Sequence, residues 1–163
     1  MALDTTIGGT SSDSYGTLAE YTAYAAAQGW TLADTDAANE VHLRRAAVYL
    51  DRKHKFIGMK QYQFQALAWP RLVRDLVDDW PIDPDTIPTN IKHAQFEVSY
   101  VLQGGTDPFA TITTSKTMER KKVGPIETEV ETVPTGTPRL VAVEGLLRPY
   151  LKAGAGQVAL VRG

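Results

Sequence analysis

The sequence predicts a mainly α protein: a small helical bundle with a long ordered loop, a β-hairpin and an extended C-terminal arm. Three observations predict it. Apolar residues recur at three- and four-residue spacing in three stretches before residue 105, the pattern changes to alternation between residues 113 and 133, and apolar residues lie at the end of the chain outside any repeat. Composition agrees, since 163 residues that are 43% hydrophobic and 22% charged, with mean hydropathy −0.23, exclude a disordered or collagen-like chain. The expected division is an N-terminal extension over residues 1–16, a helical bundle over 17–110, the hairpin over 111–133, and a C-terminal segment with a docking arm over 134–163.

Thr17-Leu18-Ala19-Glu20 sets a threonine N-cap three residues ahead of a glutamate, the spacing at which each side chain bonds the other's backbone amide. A helix over residues 18–28 follows, with Leu18, Tyr21, Tyr24 and Ala25 on one stripe and Gly29 as its left-handed stop. Asp34, Thr35 and Asp36 offer caps for a second helix reaching residue 53. Ala38, Val41, Arg45 or Ala46, Val48 and Tyr49 trace one flank of it, and Leu43, Ala47 and Leu50 the next. Arg52 and Lys53 suit the negative end of its dipole.

Periodicity fades over residues 56–87, which hold Gly58, Pro70, Pro81 and Pro84. Tyr62, Phe64, Leu67, Trp69, Leu72, Val73, Leu76 and Trp80 give this stretch enough apolar surface to pack down, so it reads as an ordered excursion rather than a linker. Residues 71–79 are expected to form a short helix, because Pro70 fits a first helical turn. Pro88 opens the clearest helix, with Ile91, Ala94, Val98, Val101 and Leu102 on one stripe and Gly104-Gly105 past its end. Glu97 beside that stripe is expected to pair with Arg44 or Arg45.

Alternation over residues 113–133 reads as a hairpin with Gly124-Pro125 at its turn. Basic Arg120, Lys121 and Lys122 then lie across from acidic Glu127, Glu129 and Glu131. Two strands alone are marginal in water, so the hairpin needs the bundle or another chain to lean on. Leu140, Val143, Leu146, Leu147, Tyr150 and Leu151 make a last short helical or turn segment. Beyond it, Gln157, Val158, Ala159, Leu160, Val161 and Arg162 read as an arm that binds a partner, since terminal apolar residues fray unless docked.

The formal charge of −2 conceals strong bands. Residues 1–40 carry acids and no lysine or arginine. Residues 41–74 carry Arg44, Arg45, Arg52, Lys53, Lys55, Lys60, Arg71 and Arg74 against Asp51 alone, and Asp75, Asp78, Asp79, Asp83 and Asp85 follow. Adjacent bands of opposite sign suit a surface that faces DNA or a head-to-tail contact between subunits, as well as plain solvated helix faces.

Sites of known chemistry are missing from this pattern. The absence of cysteine excludes disulfides, a thiolate nucleophile and Cys-based metal sites. His42, His54 and His93 match no metal-binding spacing, and a calcium loop counted from Asp83 has Pro88 where glycine belongs and Ala94 where glutamate belongs. No phosphate-binding loop, dinucleotide fingerprint or nucleophile elbow occurs. No catalysis, metal or cofactor is expected. With no apolar run of about 18 residues and no basic-then-apolar N-terminus, neither a membrane partner nor a secretory signal is expected. The cations of residues 44–74 with Tyr62, Phe64 and Trp69 supply the ingredients of a single-strand nucleic-acid site, but core packing is the better expectation for Trp69, and a pI near 5.9 is far from that of a dedicated binder.

Several phrases in order resemble the head–tail adaptor, or connector, proteins of long-tailed bacteriophages, a family also labelled DnaT-like ssDNA-binding proteins. They are Ser14-Tyr15-Gly16, the stretch from Ala47 to Asp51, Phe56-Ile57-Gly58, Leu67-Ala68-Trp69-Pro70-Arg71, Ile87-Pro88 with Ile91, Ala94 and Glu97, Lys122-Val123-Gly124-Pro125-Ile126, and Leu146-Leu147-Arg148-Pro149-Tyr150. The resemblance spans residues 14–151.

The resemblance implies a structural virion protein, a homo-oligomeric ring of about twelve copies under the portal. The ring lines the channel for genomic double-stranded DNA and links the portal to a stopper or tail-terminator protein. The implied location is the phage neck, with assembly in the host cytoplasm. Trp69-Pro70 looks like the family's core corner, with Arg71 beside it able to meet a neighbour. Lys121, Lys122, Val123, Gly124, Pro125 and Ile126 look like a hairpin tip, and Gln157 to Arg162 match no phrase of the family. Arg44, Arg45, Arg52, Lys53, Arg71, Arg74, Asp75, Asp78 and Asp79 are the candidates for charge facing DNA or a neighbouring subunit. The alternative function is a single-stranded nucleic-acid-binding module.

Overall fold

The computed structural model describes residues 2–32, 35–74, 77, 80–109, 117–123, 126–132 and 140–152. Its elements run α1 (Leu18–Gln28), α2 (Asp36–Lys53), β1 (Met59–Lys60), β2 (Arg71–Leu72), α3 (Thr89–Gln103), β3 (Thr117–Val123), β4 (Ile126–Thr132) and α4 (Val141–Leu147), closed by a 3-10 turn over Arg148–Tyr150. The fold is mainly α, as the sequence predicts. Two compact units are present: residues 1–106 with 140–163, and residues 107–139. No helix among the described residues is long and apolar enough to cross a membrane.

Each helix starts and stops for a local reason. The Thr17–Glu20 capping box forms, and Gly29 ends α1 at φ 71°. Thr35 caps α2 through the amide of Ala38, and Pro88 opens α3. None of these helices would be stable alone, and burial holds them. The larger core joins Ala46, Ala47 and Leu50 of α2 to Ile91, Ala94 and Val98 of α3, Val143 and Leu147 of α4, and Phe56, Leu67, Trp69 and Val73 of the excursion. A smaller cluster of Tyr21, Leu43 and Phe96 seats α1.

One polar side chain ties the bundle together. Gln95 of α3 is fully buried; its oxygen accepts from the amides of Tyr15 and Gly16 at 3.1 and 3.0 Å, and its nitrogen donates to Ser14 Oγ and Leu43 O, both at 2.8 Å. With both donors and both lone pairs used, it costs no unpaired buried group and fixes the N-terminal loop and α2 against α3.

Four expectations need correction. The described part of the expected helix over 71–79 is not helical: Arg71 and Leu72 pair with Lys60 and Met59, and Val77 and Trp80 exchange backbone hydrogen bonds of 2.9 and 3.0 Å, while residues 75, 76, 78 and 79 lie outside the described residues. Tertiary pairing overrides the local propensity there. Val41 and Val48 of α2 face outward, because the small side chains of Ala46 and Ala47 with Leu43 and Leu50 form the side that approaches α3. Tyr62, Phe64, Leu72 and Trp80 are exposed rather than packed. Glu97 accepts from the Tyr24 hydroxyl at 2.9 Å, while Arg44 pairs with Asp13 at 2.6 Å and Glu40 at 3.4 Å.

In the second unit, β3 and β4 are antiparallel, with Val123 opposite Ile126. The register sets Arg120 opposite Glu129 and Lys122 opposite Glu127, which are opposite-sign pairs, whereas Lys121 meets Thr128 and Glu119 meets Val130. Gly124 and Pro125 lie outside the described residues.

Candidate interaction surface

The excursion between α2 and α3 is a ribbon pinned from below. Arg71 does most of the pinning: its Nε donates to Ile57 O at 2.6 Å, Nη1 to Ala68 O at 3.1 Å, and Nη2 to Gly58 O at 2.7 Å and Phe56 O at 3.5 Å. A planar fork of five donors suits this cluster of carbonyls. Burial pulls Arg71 below the ordinary arginine range, against the opposing influence of Tyr15 and Asp51. Gln65 is a second pin; its oxygen accepts from Tyr62 N at 2.9 Å, and its nitrogen donates to Leu67 O and Pro70 O at 2.9 and 3.0 Å.

A third pin reaches outside the ribbon. The Tyr15 hydroxyl donates to Asp51, and the amide of Ala68 donates to Asp51 at 2.8 Å. Burial raises the Asp51 carboxyl above its ordinary value, outweighing its hydrogen bonds and the nearby Lys60 and Arg71. Burial likewise raises Tyr15 well above the usual phenol, with the Asp51 charge adding to it. The C-terminal turn closes the ribbon's base, where Ile57 N donates to Tyr150 O and Lys152 N to Lys55 O, both at 2.9 Å.

The exposed surface of this hydrogen-bonded ribbon carries large apolar side chains alongside polar ones such as Lys60 and Gln63. Met59 and Leu72 sit opposite each other across β1 and β2, and Met59 is 60% exposed. Phe64 is 73% exposed on the loop between the strands, with Tyr62 beside it donating its hydroxyl to Asp85 at 2.6 Å. Trp80 is 76% exposed at the mouth of a groove of about 470 Å3 that Val77, Ile82, Asp83 and Tyr150 also line. Large apolar side chains on a hydrogen-bonded support can bind a partner without first ordering themselves.

The structure separates the residues singled out from the sequence. Trp69 is 1% exposed and packs edge-on against Phe56 and Tyr150, with Pro70 buried next to it after a cis peptide bond. Arg71 is spent on its own chain's carbonyls, and Arg44 is paired with Asp13 and Glu40. Arg45, Arg52 and Lys53 are exposed on α2, and Arg74 is exposed after β2. Asp75, Asp78, Asp79, Gly124, Pro125 and the arm from Gln157 to Arg162 lie outside the described residues, as do the side chains of Lys121, Lys122, Val123 and Ile126. Among the described residues, no group of three or more histidines, aspartates and glutamates could hold a metal ion.

Sequence reasoning missed the Tyr15–Asp51 pair, the Arg71 fork and the exposed Met59–Leu72 pair. No local signal carries them, because Tyr15 and Asp51 are 36 residues apart and Arg71 reaches back 13 and 14 residues to Gly58 and Ile57.

No curated protein and no solved structure matches the chain. A family model does match it, over residues 1–163, under the description "Putative DnaT-like ssDNA binding protein". The chain, with its helical bundle and pinned ribbon, belongs to that DnaT-like family.

Proposed function

We propose that this protein is a structural head-to-tail adaptor of a bacteriophage, assembling as a ring beneath the portal and joining it to the next neck protein. The observation that carries the reading is the exposure of Met59, Phe64 and Leu72 on the hydrogen-bonded ribbon. Methionine and phenylalanine are enriched in protein interfaces, and a methionine–leucine pair offers nothing to a nucleobase that a ring would not offer better. The cation-and-ring cluster that a strand of DNA would need is reduced to Tyr62 and Phe64 beside Lys60, since Trp69 is buried and Arg44 and Arg71 are engaged within the chain. On this reading the chain performs no catalytic step and needs no cofactor. It works in the virion neck after assembling in the host cytoplasm, and residues 157–162 grip the portal.

The test is electron microscopy of the protein mixed with the portal protein of the same phage. A ring added coaxially to the portal is expected, and deletion of residues 157–163 is expected to abolish it.

The family description favours a second reading, a single-stranded DNA-binding module, for which Tyr62 and Phe64 beside Lys60 are the exposed groups. It requires binding to an oligonucleotide that falls steeply with salt and is lost on Phe64→Ala. A salt-sensitive shift together with no ring on the portal would replace the adaptor reading with this one.

A further inference from the structure

Two surfaces away from the Met59–Leu72 pair describe each other. Val41, Arg45, Val48 and Arg52 follow one another on α2 at spacings of four, three and four, which confines them to an arc of about 60° at 3.6 residues per turn. All four are exposed, Val41 by 50%, and the arc lies opposite the buried side formed by Leu43, Ala46, Ala47 and Leu50. A covering that suits this stripe is apolar, with an acidic group at its edge to meet Arg52. The groove at Trp80 has that chemistry: apolar Val77, Trp80 and Ile82 line it together with the exposed carboxylate of Asp83. A covering that suits the groove is in turn apolar and basic.

We infer that the α2 stripe of one copy of this chain docks on the Trp80 groove of the next. The charge complementarity selects a second copy over nucleic acid, because the groove's carboxylate repels phosphate and the stripe's arginines alternate with valines. The two halves are different surfaces, so the contact is heterologous: each copy keeps one unused half, and the association propagates, closing into a ring where the rotation between copies allows it. The inference rests on the ring reading of the function and gives it an interface.

The chain has no cysteine, which makes cross-linking clean. Val48→Cys and Thr86→Cys, introduced together into the full-length protein, put one thiol in the stripe and one on the groove wall. A flexible bis-maleimide at high protein concentration is expected to give a ladder of species beyond the dimer. Adding Arg52→Glu or Asp83→Arg is expected to lower the cross-linked yield about fivefold. Mixing the Arg52→Glu copies with the Asp83→Arg copies is expected to restore it, since every contact then pairs opposite charges. Absence of a ladder, dimers alone, or a ladder indifferent to both charge changes overturns the inference. A ring on the portal without the ladder would retain the adaptor reading and reject this interface, whereas a ladder without a portal ring would do the reverse.

Discussion

The Tyr15 hydroxyl donates to the Asp51 carboxylate, and both accept from the same backbone amide, that of Ala68, at 3.2 and 2.8 Å respectively. Three distant parts of the chain meet there: the N-terminal loop, the end of α2 and the loop between β1 and β2. Tyr15→Phe removes the only hydroxyl that donates to this buried carboxylate among the described residues. It is expected to cost about 1–3 kcal/mol, the penalty for leaving a buried acceptor short of a donor. A urea titration reads the loss as a lower midpoint at unchanged slope.

Asp51 gives the protein a pH dependence of definite sign. Its folded pKa is raised above the ordinary 3.8, with burial the largest cause, so the folded state holds the proton more tightly than the unfolded state does. The corresponding stability is fully present below pH 3.8 and is lost as the pH rises through the folded value. Asp51→Asn removes this term, so the stability of the native chain relative to the variant is expected to fall as pH climbs above 3.8. Thermal melts of both proteins across the acid range check it, and a difference that grows in the opposite direction would contradict the assignment.

The Arg71 fork predicts that charge alone is not enough. Arg71→Lys keeps the charge but cannot span the carbonyls of Ile57, Gly58 and Ala68 together, so it is expected to destabilise by about 1.5–3 kcal/mol. Hydrogen exchange locates the effect: amides near the fork's carbonyls, such as that of Gln61, should lose protection while those in α3 keep theirs.

Gly58 and Gly29 separate backbone strain from collision. Both have positive φ, 68° and 71°, and a side chain in that region costs roughly 1–2 kcal/mol. A Cβ at Gly29 meets nothing, whereas one at Gly58 runs into the Leu72 carbonyl of the paired strand. Gly58→Ala is therefore expected to lose clearly more stability than Gly29→Ala in a side-by-side denaturation.

Trp69 and Phe64 divide folding from binding. Trp69→Ala empties a fully buried site and is expected to cost about 3–5 kcal/mol. Phe64→Ser is expected to change stability by less than about 0.5 kcal/mol and to weaken attachment to the portal, which microscopy and the melting curve together report.

The helices were legible because their causes are local. Thr17 with Glu20, Gly29, Thr35, Pro88 and Gly104 mark ends within a few residues of the turns they cap, and the observed spans of α1, α2 and α3 follow those marks. The hairpin was legible from its alternation, but the expected run of opposite-sign pairs holds only in part, since Arg120 meets Glu129 and Lys122 meets Glu127 while Lys121 meets Thr128. The ribbon was not. Whether Phe64 packs or projects, and whether Arg71 meets a neighbour or its own carbonyls, depends on strand pairing and on contacts with the N-terminal loop that no window of sequence contains.

By itself the sequence determined where α1, α2 and α3 begin and end, that one unit of the chain is an alternating hairpin, and that chemistry based on cysteine is absent. Capping, periodicity and composition act over a few residues or over the whole chain. Tertiary structure alone decided which apolar residues stay outside. Trp69 and Trp80 are the same residue type in the same excursion, yet one is enclosed between Phe56 and Tyr150 and the other stands in solvent. Burial is a property of what arrives from elsewhere in the chain, and the residues that enclose Trp69 lie 13 positions before it and 81 after it.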